Sequence, residues 1–194
     1  MTPRIAVRAL VALLMAVLVP AVTAAQASAA PVRPAAVVVT YDTSRAGEFV
    51  AAVHAGAEVW NDSVSNVRLE PVAPGRTAHV RVIADDGWPR ALTTSLGRGT
   101  VWMGRQAVHQ GYDTTRIAAH ELGHILGLPD LKPGPCSSLM SGSTAGVACT
   151  NPYPDARERA AVEADFGGLA LPGRTGGSAA SARAGAVPAS AHRG

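Results

Sequence analysis

Short β-branched runs and longer stretches of helical period succeed one another between residues 36 and 169, and their order predicts the architecture. Residues 36–41 read AVVVTY, too short for a helix and rich in valine, which predicts a buried strand. Phe49, Val53, Ala57 and Trp60 recur at helical spacing, so a helix runs to about Asn61 behind an N-cap at Ser44. Residues 67–70 and 78–84 alternate or run apolar and predict two further strands. Residues 91–96 and 100–103 flank Gly97-Arg98-Gly99 and predict a hairpin. A second helix starts near Thr114 and ends at Gly127, because glycine admits the positive φ that closes many helices. Pro129 then discourages the helix from resuming. An irregular loop continues to Pro154, and a last helix covers residues 155–166. Strands with one helix first, then two more helices, predict a single α+β domain.

The two ends of the chain read differently. Arg4 and Arg8 precede an apolar run over residues 9–19, followed by Pro20 and the small residues Ala27-Ser28-Ala29. That order is a secretory signal peptide over residues 1–29, and the run is too short to span a bilayer. Residues 30–35 form a short pro-segment or junction, and residues 36–169 the folded domain. Residues 170–194 are rich in Gly, Ala and Ser, with almost nothing large and apolar, and predict a disordered tail.

Charge changes the picture only once it is located. The whole chain carries net +3, yet residues 36–169 hold all fourteen acidic residues against eleven basic ones, for a net −3. Scattered arginines on a mildly acidic domain give no electrostatic footprint for nucleic acid. Neither a lipobox cysteine nor a second hydrophobic span follows the leader. The expectation is an exported, soluble monomer with no membrane partner. The even pair Cys136 and Cys149 reads as one disulfide in an oxidising compartment. Their use as zinc ligands is disfavoured, because three other ligands stand nearby in sequence.

Those ligands lie in His120-Glu121-Leu122-Gly123-His124-Ile125-Leu126-Gly127-Leu128-Pro129-Asp130. Histidines four residues apart share one helix face, one turn above the other. Both imidazoles therefore reach one Zn²⁺ at about 2.0–2.1 Å without bending the backbone. Glu121 points off that line toward the space where a bound water would sit, which suits a general acid/base. After Gly127 the chain doubles back and Asp130 offers a carboxylate as third ligand. Three protein ligands with one open position describe a catalytic zinc, since structural sites usually close all four. The bland alternative is a solvated helix face that shows His-Glu-x-x-His by accident. Against it, Ile117, Ala118, Ala119, Leu122, Ile125 and Leu126 make the helix substantially buried, where unpartnered His and Glu are costly. Asp113 reads as the N-cap of this helix. His54, His79 and His109 read as surface or satisfied core residues, and Tyr153 receives no catalytic role.

With these residues the chain resembles the snapalysin family, the extracellular small neutral proteases of actinobacteria, which are zinc metalloendopeptidases of the metzincin group. The matching residues are His120, Glu121, His124, Gly127 and Asp130, then Gly134-Pro135-Cys136 and Ser138-Leu139-Met140-Ser141-Gly142. Cys149-Thr150-Asn151-Pro152-Tyr153-Pro154 and Glu158-Arg159 continue the match. The resemblance implies a small zincin fold: a twisted, mostly N-terminal sheet, an active-site helix and a C-terminal helix. It implies one zinc per chain on His120, His124 and Asp130, with Glu121 as acid/base. It places Met140 in a Met-turn beneath the metal and pairs Cys136 with Cys149 to tie that loop down. It further implies calcium held by Asp113 and the oxygen of Thr115. The implied substrates are proteins or peptides with Tyr or Phe just after the cleaved bond; β-augmentation would lay such a substrate along an edge strand within residues 91–103. Leu131-Lys132-Pro133 stands where many members carry a tyrosine shortly after the aspartate ligand. The short junction and the long tail also depart from the family. A reading from another class, a secreted zinc-stabilised binding protein without proteolytic activity, is the alternative.

Overall fold

The computed structural model describes residues 35–168. The expected signal peptide, the junction up to residue 34 and the tail over residues 170–194 lie outside the described residues. Nine residues, Val37–Arg45, form β1. Val39 and Tyr41 turn inward, 3% and 2% exposed. The strand outruns its expected end, and Ser44 lies within it rather than capping a helix. The Ser44 amide and hydroxyl both donate to the Asp42 carboxylate, at 2.8 and 3.1 Å. Gly47, at φ 55°, opens a 3₁₀ turn over Gly47–Phe49, and helix α1 then covers Val50–Ser63. The expected cap fails because the Asp42 side chain claims Ser44 locally and keeps it out of the helix.

Strands β2 (Val67–Pro71), β3 (Val80–Asp85), β4 (Arg90–Ser95) and β5 (Arg98–Gly104) complete a five-stranded sheet in the order β2-β1-β3-β5-β4. Every neighbouring pair is parallel except β4 with β5. Parallel neighbours need a crossover, and α1 supplies the one between β1 and β2. The expected hairpin is present, but its turn is Leu96-Gly97, with Gly97 at φ 73° and Arg98 already paired to Ser95. β4 forms one edge of the sheet and β2 the other, with Leu92 on β4 57% exposed. A short helix α2, Arg105–His109, follows β5 where the sequence predicts no element.

Helix α3, Thr114–Ile125, packs against α1 within one hydrophobic core. The two helices approach closely because Gly56 has no side chain: a β-carbon there would stand 2.7 Å from the Ala119 amide nitrogen. Trp60 is fully buried and donates its indole N–H to the Ala119 carbonyl at 2.8 Å. A 3₁₀ segment, Leu139–Ala145, and helix α4, Ala156–Gly167, finish the described residues. Asp155 and Glu158 form a capping box at the start of α4. No described helix is long and apolar enough to cross a membrane.

Candidate metal centre

Helix α3 ends in a Schellman arrangement. The Leu128 amide donates to the Gly123 carbonyl at 3.0 Å and the Gly127 amide to the His124 carbonyl at 3.1 Å, with Gly127 at φ 101°. That closure turns the chain back on the helix and returns Asp130 to the face carrying both histidines. Asp130 Oδ1 lies 3.2 Å from His120 Nε2 and 3.5 Å from His124 Nε2. One ligand atom from each of the three residues lies within 4.8 Å of the others, the one such grouping of His, Cys, Asp and Glu among the described residues.

The other ring nitrogens fix the tautomers. His120 Nδ1 meets the Leu139 carbonyl at 3.0 Å and His124 Nδ1 meets the Leu128 carbonyl at 2.8 Å. A carbonyl oxygen only accepts, so each Nδ1 carries a hydrogen, and a ring without a second proton presents a bare Nε2. Burial holds His120 near a pKa of about 4. The Leu139 hydrogen bond opposes that drop only partly. With both Nε2 atoms unprotonated, two lone pairs and the Asp130 carboxylate oxygen face one another. That is an unfavourable grouping unless a cation sits among them, and the donor set suits a divalent ion. Burial alone would raise the Asp130 carboxyl, but the hydrogen bond and charge of Lys132 hold it below its ordinary value. Lys132 Nζ donates to Asp130 Oδ2 at 2.9 Å.

Glu121 adjoins His120, is 5% exposed, and lines a pocket with Trp88, Tyr112, Ile117, His120 and Gly142. Burial pushes its carboxyl up to about 8, and the nearby Asp130 charge adds to the rise. Met140 is 1% exposed and packs under α3: a β-carbon on Gly123 would lie 2.8 Å from its Sδ. The Cys136–Cys149 disulfide is formed. Asp113 caps α3 by accepting from the Arg116 amide at 2.7 Å, while Thr115 lies in the first turn of the helix. His54 bonds Tyr41 at 2.7 Å, His79 accepts from the Thr40 amide at 3.0 Å, and His109 is exposed. Tyr153 is 51% exposed.

Two residues that hold the loop beneath the site have no role in the sequence reading. Arg116 extends from α3 and donates to the Ser138 carbonyl and the Ser141 hydroxyl, both at 2.9 Å, and to the Asn151 carbonyl. Glu158, 7% exposed on α4, accepts from the Ser138 hydroxyl at 2.5 Å and from the Met140 and Leu139 amides at 2.9 and 3.1 Å. Burial disfavours the Arg116 charge, and Glu158 and Asp113 support it. The visible signals were an arginine beside the apolar run Ile117-Ala118-Ala119 and the Asp155-x-x-Glu158 capping pattern; neither names a partner.

A family model described as the Streptomyces extracellular neutral proteinase (M7) family matches residues 36–167. The chain belongs to this M7 family. It is 46% identical over 129 residues to the extracellular small neutral protease of Streptomyces caespitosus, an alignment covering 66% of this chain and 96% of that protein. It is 44% identical over 135 residues to the protein of the same name from Streptomyces sp. (strain C5) and 43% identical over 135 residues to that from Streptomyces lividans. The chain spans 58% and 59% of the length of these last two. M7 membership agrees with the resemblance drawn from the motif, and the α+β domain agrees with the expected fold.

Proposed function

We propose that this protein is a secreted, zinc-dependent endopeptidase. The observation that carries the reading is the meeting of His120 Nε2, His124 Nε2 and Asp130 Oδ1 beside the buried Glu121 carboxyl, in a chain of the M7 family. Export follows from the leader-like residues 1–29 and from the printed names of the relatives, which are extracellular proteases. Zinc, when bound there, would supply a Lewis acid and an acidified water.

The chain's own residues do the rest. The Leu139 and Leu128 carbonyls hold the two imidazoles in the tautomer that offers Nε2. Glu121 takes the proton of the attacking water and delivers it to the leaving amine. A divalent cation held by His120, His124 and Asp130 would favour the Glu121 carboxylate against the upward pull of burial. The edge of β4 offers unpaired backbone groups for an extended peptide, which β-augmentation would align. The pocket beside Glu121, with Trp88, Pro89, Ala107, Tyr112 and Ile117 on its walls, suits an aromatic side chain. It supports the preference for Tyr or Phe just after the cleaved bond. Calcium at Asp113 and the oxygen of Thr115 belongs to this reading through the family resemblance alone. Tightly bound calcium in purified protein would bear on that part.

Cleavage of a quenched peptide containing tyrosine, with and without a zinc chelator, tests the proposal. The expected result is cleavage N-terminal to the tyrosine, lost on chelation and restored by zinc. Zinc-loaded protein that cleaves neither this peptide nor casein would favour the binding-protein alternative.

A further inference from the structure

Lys132 is the single lysine among seventeen basic residues of this chain, and the fold carries it to the rim of the metal centre. Its Nζ sits 2.9 Å from Asp130 Oδ2, while Oδ1 of the same carboxylate faces the two histidine Nε2 atoms at 3.2 and 3.5 Å. The two oxygens are therefore not equivalent: one is held by an ammonium, the other is turned toward the ligand cluster. Gly142, at φ 53°, makes room for this. A β-carbon there would stand 3.0 Å from Lys132 Cε and 3.1 Å from His120 Cε1, so the lysine stem lies over Gly142 beside the first histidine. A second tie fixes the segment, since the Leu131 amide donates to the Met140 carbonyl at 2.8 Å.

A carboxylate free at both oxygens can present either one, or both, to a cation. We propose that Lys132 is a positioning residue for Asp130: by holding Oδ2 it leaves Oδ1 alone to face the metal, and it thereby sets how tightly and in what geometry the ion is held. This inference rests on the metal-centre reading given under the proposed function. An opposing effect must be weighed, because an ammonium near a divalent cation repels it. The Lys132 and Asp130 side chains are 39% and 43% exposed, so water and salt screen that repulsion. Hydrogen bonds that orient a ligating group are worth about 10–100-fold in metal affinity. Orientation wins, and losing Lys132 weakens binding.

The experiment measures zinc dissociation constants of the full chain by competition with a chromophoric chelator, for wild type, K132M, K132L and K132R. Visible spectra of the cobalt(II)-loaded proteins accompany it, with H120A as the non-binding control. K132M and K132L should lose about 10–100-fold in zinc affinity and show an altered cobalt spectrum, while K132R stays close to wild type in both. Thermal midpoints taken in chelator separate these losses from misfolding, and two apolar variants guard against one folding poorly. Zinc binding by K132M and K132L equal to or tighter than wild type overturns the role of Lys132 and leaves the metal centre standing. Weaker binding with an unchanged cobalt spectrum also overturns it, because charge or packing alone would then be responsible. A wild-type protein that binds neither metal overturns both this inference and the reading beneath it.

Discussion

Burial works against a charge on Glu121, raising its carboxyl to about 8, and against a charge on His120, lowering its ring to about 4. Side chains so placed cost stability unless a partner or a task requires them. Glu121→Gln keeps the shape of the side chain and removes its capacity to accept and return a proton. The variant should bind zinc as wild type does and lose about 10²–10⁴-fold in turnover, checked by metal analysis beside peptide cleavage. Near-normal turnover would remove Glu121 from the chemistry. At this scale the meeting of His120, His124 and Asp130 was legible because their spacing is local: helical geometry puts both histidines on one face, and the turn at Gly127 returns Asp130 to it. Arg116 and Glu158 were not. Their partners, the loop residues Ser138 to Ser141 and Asn151, lie from eighteen to thirty-five positions away, and spacing along the chain says nothing of such contacts.

Helices were easier to read than the way they meet. The apolar repeat in α1 fixed its inward face, yet the crossing with α3 depends on Gly56 lying against the Ala118–Ala119 backbone. Gly56→Ala would place a methyl group 2.7 Å from the Ala119 nitrogen and 3.0 Å from the Ala118 carbonyl carbon, where a backbone cannot yield cheaply. Alanine is intrinsically the better helix former by about 1 kcal/mol, so a purely local account expects stabilisation. Overpacking instead predicts a net loss of about 1–3 kcal/mol, read as a lowered denaturation midpoint. An unchanged or raised midpoint would mean that the two helices separate without cost. Strand positions were similarly visible while their order was not. The β2-β1-β3-β5-β4 sequence of the sheet is set by crossovers that no local pattern encodes. Ser44 shows the same limit on a smaller scale, being drawn into β1 by Asp42 rather than into α1 as a cap.

For the molecule as a whole, stability and metal are linked, since an ion that binds only the folded state adds to its free energy of unfolding. Chelation should lower the thermal midpoint and zinc should restore it, with about 4 kcal/mol gained at a free concentration a thousandfold above the dissociation constant. Scanning calorimetry at several zinc concentrations checks this, and a midpoint indifferent to zinc would contradict a site formed by the fold. The Leu139 peptide shows why that link reaches far. Its carbonyl accepts from His120, and its amide donates to Glu158 on the last helix. With the Nδ1 proton directed at an atom that has no use for it, His120 cannot act as a relay. In the proposed mechanism that leaves Glu121 to move the proton, and its ionisation should appear on the acid side of the rate profile.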